Sequence, residues 1–219
     1  MGTDLGRLYR TQLRATQRTN AHLAMAAYPT EWERHLTLQD GKAVYIRPIR
    51  PEDEPLYGPF FAVETAEDLR RRFFGAVKVS HAFIARFTQI DYEKAMAFIA
   101  LDEATGEMLG VARLHATTEG DSGEYAILIR TDLKSHGLGW LLMQLIIADA
   151  RARSYRCIQG QVLHDNTPML DMCRELGFEI KSDPAAAAAA LNDHQNFTIF
   201  ASPTRAREAG APAGRSRRS

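Results

Sequence analysis

Residues 124–150 read EYAILIR-TDL-KSHGLGW-LLMQLIIADA: a strand, a turn with two glycines, and an amphipathic helix. Leu138, Leu141, Leu142, Leu145 and Ile146 recur at i, i+3, i+4, i+7 and i+8, which is one apolar helical face. Gly137 and Gly139 carry no Cβ, so a ligand can approach the backbone closely there. The first N–H groups of a helix have no partner within it, and the helix dipole adds positive potential, which together suit an anion such as a pyrophosphate. An ordinary helix start can use the same residues, so spacing must decide. Neither GxxxxGK[ST] nor GxGxxG occurs, and the acidic residue that a dinucleotide needs on the next strand is missing.

Outward from this unit, strand and helix signals alternate. Segments 43–47, 95–101, 108–114, 124–130, 156–163, 178–181 and 197–201 are expected as strands, with DEATGE at 102–107 as a hairpin turn. Segments 52–61, 65–74 and 80–88 are expected as helices, the first disturbed by Pro55 and Pro59. Asn166 or Thr167 can cap a further helix, with Pro168 at its first position, a stripe of Met169, Met172, Cys173 and Leu176, and Gly177 at its end. This order predicts an α+β domain with helices around a central sheet. Residues 1–27 form an expected N-terminal extension, 28–202 the domain, and 203–219 a disordered tail. The alanine run at 185–190 is low-complexity and suggests no function.

At 219 residues, one domain is the expectation, large enough to bury a core without disulfides or metals. Lysine plus arginine balance aspartate plus glutamate at 27 each, which gives no global pull toward nucleic acid or an anionic membrane. No apolar run approaches the ~20 residues of a membrane span, and no signal-peptide core is visible. Cys157 and Cys173 form neither a disulfide framework nor a zinc spacing and suit a reducing cytoplasm. His81, His115 and His164 show no metal-binding spacing, so no metal is expected.

The turn Lys134-Ser135-His136-Gly137-Leu138-Gly139 matches the Q/R-x-x-G-x-G/A signature of the GNAT acetyltransferase superfamily, with lysine in place of Gln or Arg. Downstream, Asn166 precedes a segment ending Leu176-Gly177-Phe178, like the family's second signature. Together with DGKAVYIRPIRPEDEPL, RRFF and GVARLHA, these stretches resemble the GNAT domains of bacterial Pat-type protein lysine acetyltransferases, over roughly 38–178. The resemblance implies a mixed, mostly antiparallel sheet with splayed central strands flanked by helices. It implies acetyl-CoA as co-substrate, held by backbone groups of Leu128, Ile129 and Arg130, by the turn of Lys134, Ser135, His136, Gly137, Leu138, Gly139 and Trp140, and by Asn166. As a bare sequence feature Asn166 reads first as a helix cap.

By the same resemblance Glu124, in Glu124-Tyr125-Ala126, is the general base that takes a proton from an attacking lysine amine. Cys173 stands where many relatives carry a thiolate-protonating tyrosine, so no general acid is assigned. The implied acceptor is a protein lysine, on AMP-forming acyl-CoA synthetases; alternatives are a small amine acceptor or a non-catalytic acyl-CoA sensor. Asp91 and Tyr92 are candidates for the groove that receives the protein substrate. Arg70, Arg71 and Arg72 read as a solvated helix face, from which one could pair with an acidic residue.

Overall fold

The computed structural model describes residues 27–74, 79–118, 120–134, 136–182, 196–204 and 206. Its strands are β1 (Arg34–Thr37), β2 (Ala43–Pro48), β3 (Ala95–Asp102), β4 (Met108–Ala116), β5 (Ser122–Ile129), β6 (Cys157–Leu163), β7 (Glu179–Ser182) and β8 (Asn196–Ala201). They form one sheet in the order β1-β2-β3-β4-β5-β6-β8-β7. Every pairing is antiparallel except β5 with β6. A parallel pair needs a long crossover, and here helix α4 (Leu138–Ala152) supplies it.

Side-chain alternation divides the core between two faces. Helices α4 and α5 (Thr167–Glu175) cover one, where Leu114, Tyr125, Leu142, Ile146, Leu170 and Cys173 pack. Helices α1 (Glu54–Ala62), α2 (Ala66–Phe73) and α3 (His81–Thr88) cover the other. There Tyr57, Phe60 and Phe61 pack toward Val111 and Leu128. Rings from all three helices interlock, with Phe83 and Phe87 edge to face at 4.8 Å. Pro59 sits inside α1, where it removes a ladder N–H. Burying three aromatic side chains at roughly 1.5–3 kcal/mol each outweighs a proline cost of about 3 kcal/mol, so the helix continues.

The RPIRPED stretch has a structural reason. Arg47 and Asp53 are 7% and 4% exposed and form a two-pronged ion pair at 2.7 and 2.6 Å. Asp53 also accepts the Arg50 backbone N–H at 2.6 Å. This clamp fixes the corner where β2 hands over to α1, and so sets the helices of that face on the sheet.

The expected strands and helices all occur among the described residues, with ends shifted by a few positions. The reading missed β1, a polar edge strand that pairs Arg34–Thr37 with β2. The alanine run, the extension up to residue 26, and residues 207–219 lie outside the described residues. Replacing Asp53 with Ala should cost about 3–5 kcal/mol, because it leaves the Arg47 guanidinium buried and alone. Chemical denaturation of the variant and the parent measures that difference.

Candidate active site

The site is built by a failure of pairing. β5 and β6 share only three residue pairs, Ser122↔Cys157, Gly123↔Ile158 and Glu124↔Gln159. Past them β5 stays on β4 as far as Ile129, while β6 stays on β8 as far as Leu163. The two strands therefore splay, and their facing backbone groups have no strand between them.

Which groups face the gap follows from the ladder. The Thr117 N–H donates to Ser122 O at one end of β5, and the Arg130 N–H donates to Leu109 O at the other, both at 2.9 Å. Backbone groups in a strand alternate in direction. Even-numbered residues of β5 thus turn to β4, and Ile127 and Ile129 turn to the gap. The expected backbone contacts from Leu128 and Arg130 are corrected on this ground: both residues face β4, and the Arg130 carbonyl also accepts from Leu133 N–H. The backbone groups of Ile129 and Ile127 turn to the gap. Glu124 and Ile129 are separated by about 17 Å of strand, room for a long extended arm.

At the far end lies the glycine turn. Gly137 takes φ 89°, a left-handed conformation, as the N-cap of α4, and no side chain caps the helix. The N–H groups of Leu138, Gly139 and Trp140 precede the first i to i−4 bond, from Leu141 N–H to Gly137 O, and have no acceptor among the described residues, the arrangement that suits an anion. The basic side chains of the turn are otherwise engaged: Lys134 pairs with Asp68, and His136 Nδ1 is 2.8 Å from Asp40 Oδ2. Ser135 lies outside the described residues. Beneath Lys134, Thr131 Oγ1 is 2.6 Å from Asp68 Oδ2 and 3.1 Å from Glu64 Oε2, with one proton to give. Burial pushes the Glu64 carboxyl up to about 7, and the negative Asp68 adds to the effect.

At the near end, Glu124 is exposed at the point where the strands part. It lines a cavity of about 90 Å³ with Tyr125, Ile127, Gln161, Asn166 and Met169. The structure thus brings Glu124 and Asn166 together. Asn166 occupies the N-cap position of α5 but makes no side-chain capping bond, so its amide is available to the cavity. Below the gap, Tyr125 Oη lies 3.4 Å from Cys173 Sγ. Cys173 is fully buried, and burial raises its thiol to about 11, so it is neither an acid in the gap nor a nucleophile.

The remaining candidates fall elsewhere. The Tyr92 hydroxyl bonds Ile49 O and supports the fold. His81 pairs with Glu54, and His164 is exposed in a loop. Among the described residues no cluster could hold a metal ion. The solvated reading of the three arginines is corrected: Arg70 binds Glu67 and Asp165, Arg71 binds Glu67, and Arg72 lines the Glu124 cavity. A run of three consecutive arginines is a signal that they cannot all share one face; sequence does not say which turns inward.

The model of the acetyltransferase (GNAT) family matches residues 63–178. The chain belongs to the GNAT acetyltransferase family. An acetyltransferase of Pseudomonas aeruginosa is 34% identical over 151 residues, covering 68% of this chain and 81% of that protein. A shorter stretch of 86 residues is 33% identical to an L-methionine sulfoximine/L-methionine sulfone acetyltransferase of Pseudomonas paraeruginosa, covering 37% of this chain and 50% of that protein. The GNAT fold is shared with the GNAT domain of S. lividans PAT, at a TM-score of 0.67 and 24% identity over 80% of this chain and 99% of that one. GNAT acetyltransferases use acetyl-CoA, and the free N–H groups of the turn and the free backbone edge of β5 fit its pyrophosphate and its arm.

Two outcomes are expected. Gly137→Ala forces a Cβ into a left-handed position at a cost of about 1–2 kcal/mol, and should weaken acetyl-CoA binding in calorimetry roughly tenfold. Glu64 titrates higher folded than its ordinary 4.5, so its contribution is present below that value and is lost as pH rises through about 7. Glu64→Gln should accordingly raise Tm by a few degrees at pH 8 and leave it near the parent's below pH 5.

Proposed function

We propose that this GNAT enzyme moves acetyl from acetyl-CoA to a lysine ε-amine on a protein, with AMP-forming acyl-CoA synthetases in the cytoplasm as the acceptors. The observation that carries the reading is Glu124, an exposed carboxylate with no hydrogen bond among the described residues, standing where β5 and β6 part. A lysine amine is protonated near neutral pH and must lose a proton to become a nucleophile. Glu124 accepts it, directly or through water. The neutral nitrogen attacks the thioester carbonyl carbon, and a gap-facing N–H of β5 bonds the developing oxyanion. As the C–S bond breaks, the nitrogen gives its second proton to water and the coenzyme leaves as a thiolate that takes a proton from water; Cys173, sealed below the gap, takes no part. No acyl-enzyme forms.

The likeness of several further stretches to Pat-type lysine acetyltransferases supports the protein acceptor. A second reading, transfer to a small amine, is favoured by the 86 residues shared with an acetyltransferase of methionine derivatives. Acetyl-CoA consumption with a panel of purified acyl-CoA synthetases, followed by mass spectrometry of their lysines, separates the two. Modification of one lysine, with kcat lowered about 10²–10⁴-fold in Glu124→Gln, is the expected result. Turnover on free amines that exceeds turnover on every folded protein would favour the second reading.

A further inference from the structure

Arg72 lines the Glu124 cavity with Arg113 behind it, and neither guanidinium is bonded to a carboxylate among the described residues. Of three successive arginines on α2, Arg70 and Arg71 hold Glu67 and Asp165. Arg72 makes no hydrogen bond or ion pair among the described residues; its guanidinium lies over the Phe73 ring at 4.7 Å and lines the Glu124 cavity. Arg113, on β4, is 2% exposed. It gives one N–H to Phe87 O at 2.6 Å, and its Nε and Nη1 are buried without partners among the described residues. The Tyr57 hydroxyl is buried and unpaired as well.

These groups share one face of the sheet. Arg113 and His115 pair with Ala126 and Glu124 across the β4–β5 ladder and alternate with Leu114, which packs on the opposite face. Arg72 and Arg113 are close enough to repel: burial first, and then the charge of Arg113, lowers Arg72 to about 10. Burial, then Arg113 and Arg72, likewise hold the His115 imidazole below its ordinary value. Tyr57, and after it Glu124, offset this in part; Glu124 makes no bond to Arg72 among the described residues. Two partly desolvated guanidinium groups with free donors are costly unless an anion arrives to take them.

We propose that the acceptor side of this site carries a carboxylate-binding subsite, with Arg72 as the contacting fork and Arg113 as the charge behind it, so that the preferred acceptor bears a carboxylate close to its reacting amine. The proposal deepens the lysine reading and rests on it for the acceptor class: the carboxylate is then an acidic side chain beside the target lysine. An α-carboxylate on a free amino acid offers the same chemistry. Guanidinium matches a carboxylate by two parallel N–H bonds. Exposed Phe74, which follows Arg72 by two residues and lines the same cavity, forms an apolar lip at its entrance.

The test uses two pairs of acceptors: lysine peptides that differ only by Glu or Gln next to the lysine, and an amino acid with its amide. Pre-acetylated forms of the peptides serve as unreactive ligands for equilibrium binding. The expected result is a preference of about tenfold in kcat/KM for the acidic member of one pair, abolished in Arg72→Gln and partly kept in Arg72→Lys, with the KM for acetyl-CoA read alongside as a control. The pair that shows the preference identifies the source of the carboxylate. No acidic preference in either pair, or one of equal size in Arg72→Gln, overturns the subsite. Should no peptide be acetylated, the lysine reading fails by itself, and binding of the pre-acetylated peptides still decides the subsite.

Discussion

Everything in the site depends on a ladder that stops after three rungs. Up to Glu124 and Gln159 the strands β5 and β6 are bonded; beyond, each follows its outer neighbour. One contact at the fork explains part of the geometry. Gly160, the first β6 residue past the ladder, would place a Cβ 2.7 Å from the Tyr125 ring. That ring is 4% exposed and braced edge to face by Phe178, so it has little freedom to move aside. A bulky ring on one strand and a bare backbone on the other close the gap from below while leaving it open along its edges. An uninterrupted β5–β6 ladder would leave no slot, and Glu124 would be one more strand residue.

The two faces of the sheet then divide the work. The α4–α5 face is apolar beneath the gap and seals Cys173 from it. The opposite face combines an aromatic wedge from α1–α3 with the polar cluster around Glu124, and Asp165 reaches across to hold α2 through Arg70. Where α2 sits thus depends on both sides of the fork, and the Arg47–Asp53 clamp fixes the corner that leads into this helical layer. Packing far from Glu124 is transmitted to it through the position of one short helix.

What the chain reveals without its structure follows from the range of each signal. The apolar stripe of α4 and the Gly137 turn were legible because period and backbone freedom are local properties. The Glu124–Asn166 meeting was legible only through family resemblance, since 42 positions separate them. β1 was hidden because Arg34-His35-Leu36-Thr37 shows no alternation and gains its structure from β2. The direction of the Leu128 and Arg130 amides was hidden too: it depends on the register against β4, a one-residue matter that composition does not record. Arg72 was misread for a similar reason, because helix placement rather than helix sequence decides which of three adjacent arginines loses its water.

A slot edged by main chain has a further consequence for exchange. Amides along β5 can grip the arm of a coenzyme, and that arm is the same before and after the acetyl cap has gone. A grip of this kind does not distinguish the charged carrier from the discharged one. For a site that held its coenzyme by the arm alone, occupancy would follow the ratio of the two in the surrounding pool.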